Sequence, residues 1–417
     1  MLSGLPASLS AQDSDDPSNI PLPAAPADEN GYEIENILLL GSDTDNPRNS
    51  GRTDVIVIVS VNFTEGTAAL LSIPRDLYVY IPNVGMQRIN TAFAFGEQAH
   101  PGTGPQVLGD TILYNLGLTI DHYARVDFNG FRQLVDDLGG IEISVDCAIQ
   151  DWRLREPGLD MQVEDNWELF TLPVGVHRLD GNLALWYARS RRTSSDFDRG
   201  RRHQAILRAM LGRIRALGLL EQLRDVWPQV GESVRTDLSF EDMLRLTVAA
   251  GQVQSDRIAS YTLRPNVEAR SWRAPDGASV QVPNREALQT LIARFLAPPT
   301  RLQIGRERPR IEIVNGSGVH SLARVAADRL AWEGFLVDIA DQPVPYQYAT
   351  TIVDFTAQTK GSSLELLQTV MRVEPDDIDI EPDPARSIDF RITLGGAYQS
   401  CTYDVMPPRD LTETEGD

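Results

Sequence analysis

ENILLLGSDTDNPRNSGRTDVIVIVSVNFTEGTAALLSIPRD, residues 35–76, holds three short runs, 37–40, 55–61 and 68–73, that are almost unbroken in apolar side chains. A strand with one face in water alternates apolar and polar residues, whereas a strand apolar on both sides belongs in a sheet covered on both faces. The pattern continues outward. YARVDF (123–128) reads as a strand, NGFRQLVDDLGG (129–140) as a short helix closed by glycine, and IEISVD (141–146) as another strand. In RRHQAILRAMLGRIRALGLLEQL (201–223) apolar positions recur three and four apart, the mark of a long amphipathic helix. Alternating strands and helices predict a three-layer α/β domain.

Around this domain the composition shifts. Residues 12–32 are rich in Asp, Pro and Ala without apolar period and read as an exposed linker, so order is expected from Glu33. LAPPTRLQIGRERPR (296–310) interrupts every period and reads as a boundary. Beyond it, RIEIVNGSG, LARVAADRLAWEGF, TTIVDF, SLELLQTVMRV and DFRITLG describe a second, smaller α/β unit. NGSG (315–318) is a tight strand-to-helix turn. The expected division is therefore 1–32 as a disordered linker or remnant of an export segment, 33–300 as the main domain with a helical extension, 308–397 as a separate α/β domain, and 398–417 as a loose tail.

The 417-residue chain carries 59 acidic against 38 basic residues, a formal charge of -21. Such a field repels nucleic acid, and an anionic ligand must be gathered by a local basic cluster. Cys147 and Cys401 are the only cysteines. They leave one disulfide open and exclude a zinc site or a disulfide scaffold. Five scattered histidines form no close pair, which argues against a histidine metal centre. No 18-residue apolar run is present, so the chain as given has no transmembrane span.

Four segments carry candidate chemistry. Asp43 and Asp54 flank one loop, with Arg52 between them; two carboxylates completed by water and phosphate is how magnesium is usually held, although Asp and Gly near strand ends serve equally as turn residues. SIPRD (72–76) presents Arg75 beside Asp76, and QRINTAF (87–93) adds Arg88 and Asn90. The strongest signal is YARSRRTSSDFDRGRRHQ (187–204), with six arginines between positions 189 and 202 in an otherwise acidic protein. Asp196, Arg199 and either Arg202 or His203 have helical spacing; Arg189 and Arg191 share a side if that segment is extended. The guanidinium fork matches two phosphate oxygens and stays charged. The interleaved aspartates would orient the arginines, bind a metal, or accept a proton from an attacking hydroxyl. There is no GxxxxGKS/T and no GxSxG, which excludes a P-loop and a nucleophile elbow.

ILLLGSD, GRTD, LSIPRDLYVYIP, RINTAFAFG, VDFNGFRQLVDDLGGIEISVD, LDGNLALWYARSR and SDFDRGRR, in this order, resemble the LytR-CpsA-Psr family, and IEIVNGSGV to ITLGG resembles the LytR C-terminal domain. The resemblance implies an α/β/α catalytic domain around a central mixed sheet. It also implies a magnesium-dependent phosphotransferase that moves a glycopolymer phosphate from a polyprenyl-pyrophosphate carrier to a peptidoglycan hydroxyl. Hydrolysis of the polyprenyl pyrophosphate and non-enzymatic glycopolymer binding are the alternatives. Transferred to this sequence, Asp43 and Asp54 are the metal carboxylates; Arg52, Arg75, Arg189, Arg191, Asp196 and Arg199 are catalytic; and Arg88, Asn90, Arg202, His203 and Gln204 bind substrate. His203 stands where the family has Gln. The implied partners are the lipid-linked glycan, peptidoglycan and a membrane surface, with no nucleic acid, and the implied location is extracytoplasmic and membrane-anchored, the anchor lying outside this chain. The apolar stripes at 105–117, 130–138 and 204–220 would line a lipid tunnel or a core. The second domain supplies no catalytic cluster, so deleting 305–417 is expected to spare the chemistry.

Overall fold

The computed structural model describes residues 16–42, 52–156, 158–220, 231, 233–301, 303–342, 344–356, 358, 362–399 and 401. The three apolar runs become β1 (Ile34–Ser42), β2 (Thr53–Asn62) and β3 (Thr67–Ser72). A hairpin follows, β4 (Tyr78–Ile81) and β5 (Gly85–Arg88), then α1 (Ala92–Ala99), α2 (Gly104–Leu116) and β6 (His122–Val126). Next come α3 (Phe128–Asp137), β7 (Ile141–Val145), the hairpin β8 (Ile149–Leu154) and β9 (Trp167–Leu172), and β10 (Gly175–Leu179). The helices α4 (Gly181–Arg189) and α5 (Asp196–Ala216) precede β11 (Val234–Thr236), α6 (Phe240–Gln252) and β12 (Ile258–Thr262). β13 (Ala269–Arg273), β14 (Ser279–Pro283) and α7 (Arg285–Leu296) complete the domain.

Six strands form the central sheet in the order β11-β6-β1-β2-β3-β12. It is mixed: β1 and β2, and β2 and β3, run antiparallel, while β1 is parallel to β6 and β3 to β12. The continuous apolar runs are explained by what covers each face. Leu38, Leu40, Ile56, Ile58 and Leu71 pack against Leu108 and Ile112 of α2 and Leu291 and Phe295 of α7. Val57 and Leu70, alternating with them, pack with Leu207 and Leu211 of α5 on the other side. A side core joins Val135 of α3, Ile141 and Ile143 of β7, Tyr187 of α4 and Ile206 of α5. The apolar stripes of α2, α3 and α5 are thus packed into cores. Each buried Leu or Ile contributes roughly 1.5–3 kcal/mol of transfer free energy.

Residues 16–32 differ from the expected free linker. Ala24 N–H donates to the Tyr114 carbonyl at 2.7 Å, Ala27 N–H to the Gly117 carbonyl at 2.9 Å, and Tyr114 Oη to the Pro21 carbonyl at 2.9 Å. The segment is an extended strap along α2, and its prolines suit it because each removes a backbone N–H that a strap outside any sheet would leave without a ladder partner.

The second domain contains β15 (Arg310–Asn315), α8 (Leu322–Trp332), β16 (Leu336–Ile339), β17 (Thr351–Asp354), α9 (Leu364–Met371), β18 (Ile378–Ile380) and β19 (Phe390–Leu394). Its sheet has the order β16-β15-β19-β17-β18 and a core of its own, including Ile313, Leu330, Leu367 and Ile392. The expected loose tail is tied down at its start: Tyr398 is buried, and Cys401 forms a disulfide with Cys147, their Cα atoms 4.8 Å apart. Residues 402–417 lie outside the described residues.

Candidate active site

Three chain segments meet where β1 and β3 end and β2 begins. Pro74 lacks an N–H and ends the β3 ladder; Leu77 N–H then turns back to the Pro74 carbonyl at 3.0 Å, so Arg75 and Asp76 stand just past the carboxyl end of β3. Asp54 is the second residue of β2, which runs the opposite way and therefore starts at the same end. The third segment is the first turn of α5. Ser195 caps it by accepting from Asp198 N–H at 3.2 Å. Ser72 seats the helix on the sheet: its Oγ donates to the Gly200 carbonyl at 3.0 Å and accepts from Gln204 Nε2 at 2.8 Å. A Cβ on Gly200 would lie 3.0 Å from Ser72 Cβ, so only glycine permits this approach without a shift.

Arg75 is the hub. Its guanidinium reaches Asp54 at 2.7 Å, Asp76 at 3.5 Å and Asp196 at 3.8 Å. Arg199 binds the other oxygen of Asp196 at 2.6 Å, and Arg88 reaches Asp76 at 3.4 Å. Burial alone would lower the pKa of Arg75, but the bond to Asp54 and the nearby carboxylates outweigh it and hold the charge more firmly. Burial likewise raises the Asp76 carboxyl, with Arg75 opposing and Asp196 adding to the rise. Arg199 is pushed down to about 10 by burial, against the pull of Asp196, and is still a cation at neutral pH. The neighbourhood that acts on Arg199 also includes Arg191. Three carboxylates and three guanidiniums are thus interleaved around a cleft lined by Asp54, Arg75, Asp196, Arg199 and His203.

Chemically, each guanidinium here is held by a carboxylate that a phosphate oxygen can replace. A ligand with two linked phosphates would exchange these ion pairs for charge-assisted, bidentate bonds.

Arg75, Arg88, Asp54, Asp196 and Arg199 are brought together, with Asp76 as a further member whose signal was its place beside Arg75. Arg189 ends α4 and Arg191 lies just beyond it: the Arg189 guanidinium lies 4.3 Å over the Phe128 ring, and Arg191 is fixed through its backbone N–H, 2.7 Å from Asp151. Arg52 is exposed immediately before β2. Asp43 lies outside the described residues.

Asn90, Arg202 and Gln204, expected to bind substrate, lie beneath the cleft instead. Asn90 is 1% exposed and joins the loops through its backbone, its N–H to the Arg75 carbonyl at 3.2 Å. Arg202 is 3% exposed and donates to Asp198 at 3.0 Å, to Ser190 O at 2.6 Å, to Ser194 Oγ at 2.7 Å and to Tyr187 O. Gln204 donates to Tyr261 O at 2.7 Å as well as to Ser72. The side-chain donors of Arg202 and Gln204 are engaged because a buried polar group without a partner is costly, whereas Asn90 Oδ1 and Gln204 Oε1 are buried without a hydrogen-bond partner among the described residues. His203 does line the cleft. Its Nε2 is 3.0 Å from the Ala188 carbonyl and must donate to it, and burial pushes its pKa down to about 3, so it is neutral.

Residues 7–295 match the profile of the LytR_cpsA_psr family, and residues 308–398 match one described as LytR cell envelope-related transcriptional attenuator. The polyisoprenyl-teichoic acid–peptidoglycan teichoic acid transferase TagU of Enterococcus faecalis is 30% identical over 238 residues, 55% of this chain and 71% of that protein. TagT of Bacillus subtilis, with the same descriptive name, is 29% identical over 244 residues, 56% of this chain and 70% of its own. In structure, the chain is similar to crystalline B. subtilis TagV, with a TM-score of 0.52 and 23% identity over 64% of this chain and 96% of that one, a likeness of fold. The first domain, matched over its whole sheet and cleft, makes this chain a member of the LytR-CpsA-Psr family.

Proposed function

We propose that this chain is a phosphotransferase that moves a glycopolymer phosphate from a polyprenyl-pyrophosphate carrier to a hydroxyl of peptidoglycan. The observation that carries the reading is the Asp54–Arg75–Asp196–Arg199 chain of ion pairs at the end of β3 and the start of β2, in a family whose relatives TagU and TagT are named teichoic acid transferases. Arg75 and Arg199 would grip the pyrophosphate, with Arg88 and Arg191 at its flanks. The acceptor hydroxyl oxygen attacks the glycan-side phosphorus; the bond to the bridging oxygen breaks, and polyprenyl phosphate leaves with the electron pair. Asp196, once phosphate has taken over Arg75 and Arg199, would take the hydroxyl proton. Fixed cations aimed at the transferring phosphoryl group are the larger part of such catalysis.

Magnesium belongs to this proposal. Asp54 offers a carboxylate about a third exposed at the cleft, the hard oxygen donor that magnesium takes with few protein ligands and several phosphate or water oxygens. Asp54 and Asp43 would hold it, and bound there it would neutralise charge on the pyrophosphate. Withdrawing Asp54 from Arg75 would also free that guanidinium for phosphate.

We place the protein outside the cytoplasmic membrane, where lipid carrier and peptidoglycan meet. The Cys147–Cys401 disulfide supports an oxidising location. The test is transfer from a synthetic lipid-pyrophosphate glycan to peptidoglycan with magnesium present. Acceptor-linked product supports the transferase, release without attachment a hydrolase, and binding without turnover a glycopolymer binder.

A further inference from the structure

α5 has two occupied faces, and the second domain takes one of them. Asp196, Arg199 and His203, at helical spacing, face the cleft. Arg201 and Arg208, seven residues apart, are turned about 180° from Arg199, at about 100° per residue. There they meet α8 of the second domain: the Arg201 guanidinium is 5.1 Å from the Trp332 ring centroid and that of Arg208 is 6.0 Å. Arg201 is 9% exposed and ion-paired with Asp146, and the next residue, Cys147, is the one bonded to Cys401. Ser144 of β7 donates to Asp328 of α8, and α8 also lies on β10.

These contacts are not those of a tethered, independent module. Without Trp332, the stem and planar face of Arg201 lose the surface that keeps water from the Asp146 pair, and a buried ion pair holds its geometry only while its surroundings are filled. The disulfide closes the same corner from the other side. The turn of α5 that follows Arg199 has Ser72 on its sheet side, at Gly200 and Gln204, and Trp332 behind it, at Arg201.

We propose that the second domain is part of the catalytic unit: through Trp332 and the Cys147–Cys401 link it holds α5 where Asp196 and Arg199 meet Arg75. Trp332 and Arg201 are positioning residues. The proposal rests on the reading of the cleft as the transferase site, but its structural half is testable alone.

The experiment compares the full chain with Trp332→Ala, Trp332→Phe and the double variant Cys147→Ser, Cys401→Ser. Amide hydrogen exchange is followed over 196–204 and, as a control, over 104–116, alongside turnover. Trp332→Ala and the double variant are expected to speed exchange over 196–204 by tenfold or more, with 104–116 unchanged. They should also lower kcat several-fold with little change in KM, and Trp332→Phe should restore both. Unchanged exchange over 196–204 in both variants overturns the proposal whatever the turnover, as does a rise spread equally over both segments. Selective loss of protection in a protein whose wild type transfers nothing supports the positioning role and counts against the transferase reading instead.

Discussion

Arg75 Nε lies 3.8 Å from Asp196 Oδ2, and Arg199 holds the opposite oxygen of that carboxylate at 2.6 Å. Asp196 therefore ties the end of β3 to the first turn of α5, and the cleft exists only where these two elements are in register. The energetics of the site follow from this bridge: Arg75, Arg88 and Arg199, which would meet a phosphate, are each already oriented by a carboxylate.

Replacing Arg75 with alanine removes the one cation shared by Asp54, Asp76 and Asp196. Turnover should fall by about 10²–10³, the usual cost of losing one preorganised charge-stabilising group, while the circular dichroism spectrum and thermal midpoint change little. Arg75→Lys should recover only part, since an ammonium cannot make the forked contact. Turnover of Arg75→Ala within twofold of wild type would remove Arg75 from the mechanism.

Gly200→Ala tests the seat of the helix. The added methyl meets Ser72 Cβ at 3.0 Å, so α5 must shift or Ser72 must move, at about 1–3 kcal/mol. The expected result is a lower denaturant midpoint with an equal or larger loss of kcat, because the strain falls on the turn that carries Arg199.

Arg202→Ala should be far more damaging to stability than to the chemistry of protein that folds. It leaves Asp198 buried without its cation, and breaking such a pair costs about 3–5 kcal/mol. Burial raises the Asp198 carboxyl, with Arg202 opposing, so the variant's Asp198 should take up a proton at a higher pH than in the wild type. Denaturant titration against the kcat of the folded fraction separates the two effects.

His203 gives the protein an acid weakness of known sign. Its folded pKa, about 3, lies below its ordinary 6.5, so the unfolded chain binds this proton first as pH falls. The stability held above pH 6.5 is lost progressively down to about pH 3, at roughly 1.4 kcal/mol per unit where steepest. His203→Gln keeps a donor for the Ala188 carbonyl and has no proton to gain. Its denaturant midpoint should fall less between about pH 7 and about pH 4 than the wild type's; an identical fall would show that other groups set the acid limb.

Chelation should abolish turnover and magnesium restore it. Asp54→Asn should need more magnesium for half-maximal rate and hold its fold. Full activity in excess chelator would contradict the assigned role of Asp54.

Much of this was legible in the sequence because each clear signal had one physical cause. Continuous apolar runs such as Val55–Val59 arise only where both faces of a sheet are covered, and the arginine-rich stretch 189–202 includes Arg199, which lines the cleft. What was not legible depends on neighbours distant in sequence. Arg202 and Arg199 look alike on paper, yet one is surrounded by carbonyls of 187 and 190 and the other by the cleft. Residues 16–32 have the composition of a linker because a strap lying on α2 through a few backbone bonds needs little apolar period. Nothing local in Trp332 or Cys401 announces that they meet β7 and α5.

The most direct measurement follows polyprenyl phosphate and peptidoglycan-linked product together, from a synthetic lipid-pyrophosphate glycan with magnesium and acceptor, in wild type, Arg75→Ala and Asp54→Ala. Stoichiometric, acceptor-dependent appearance of both products in wild type, lost in both variants, is the predicted result. Release of lipid phosphate without attachment, or transfer undiminished in Arg75→Ala, would contradict the account.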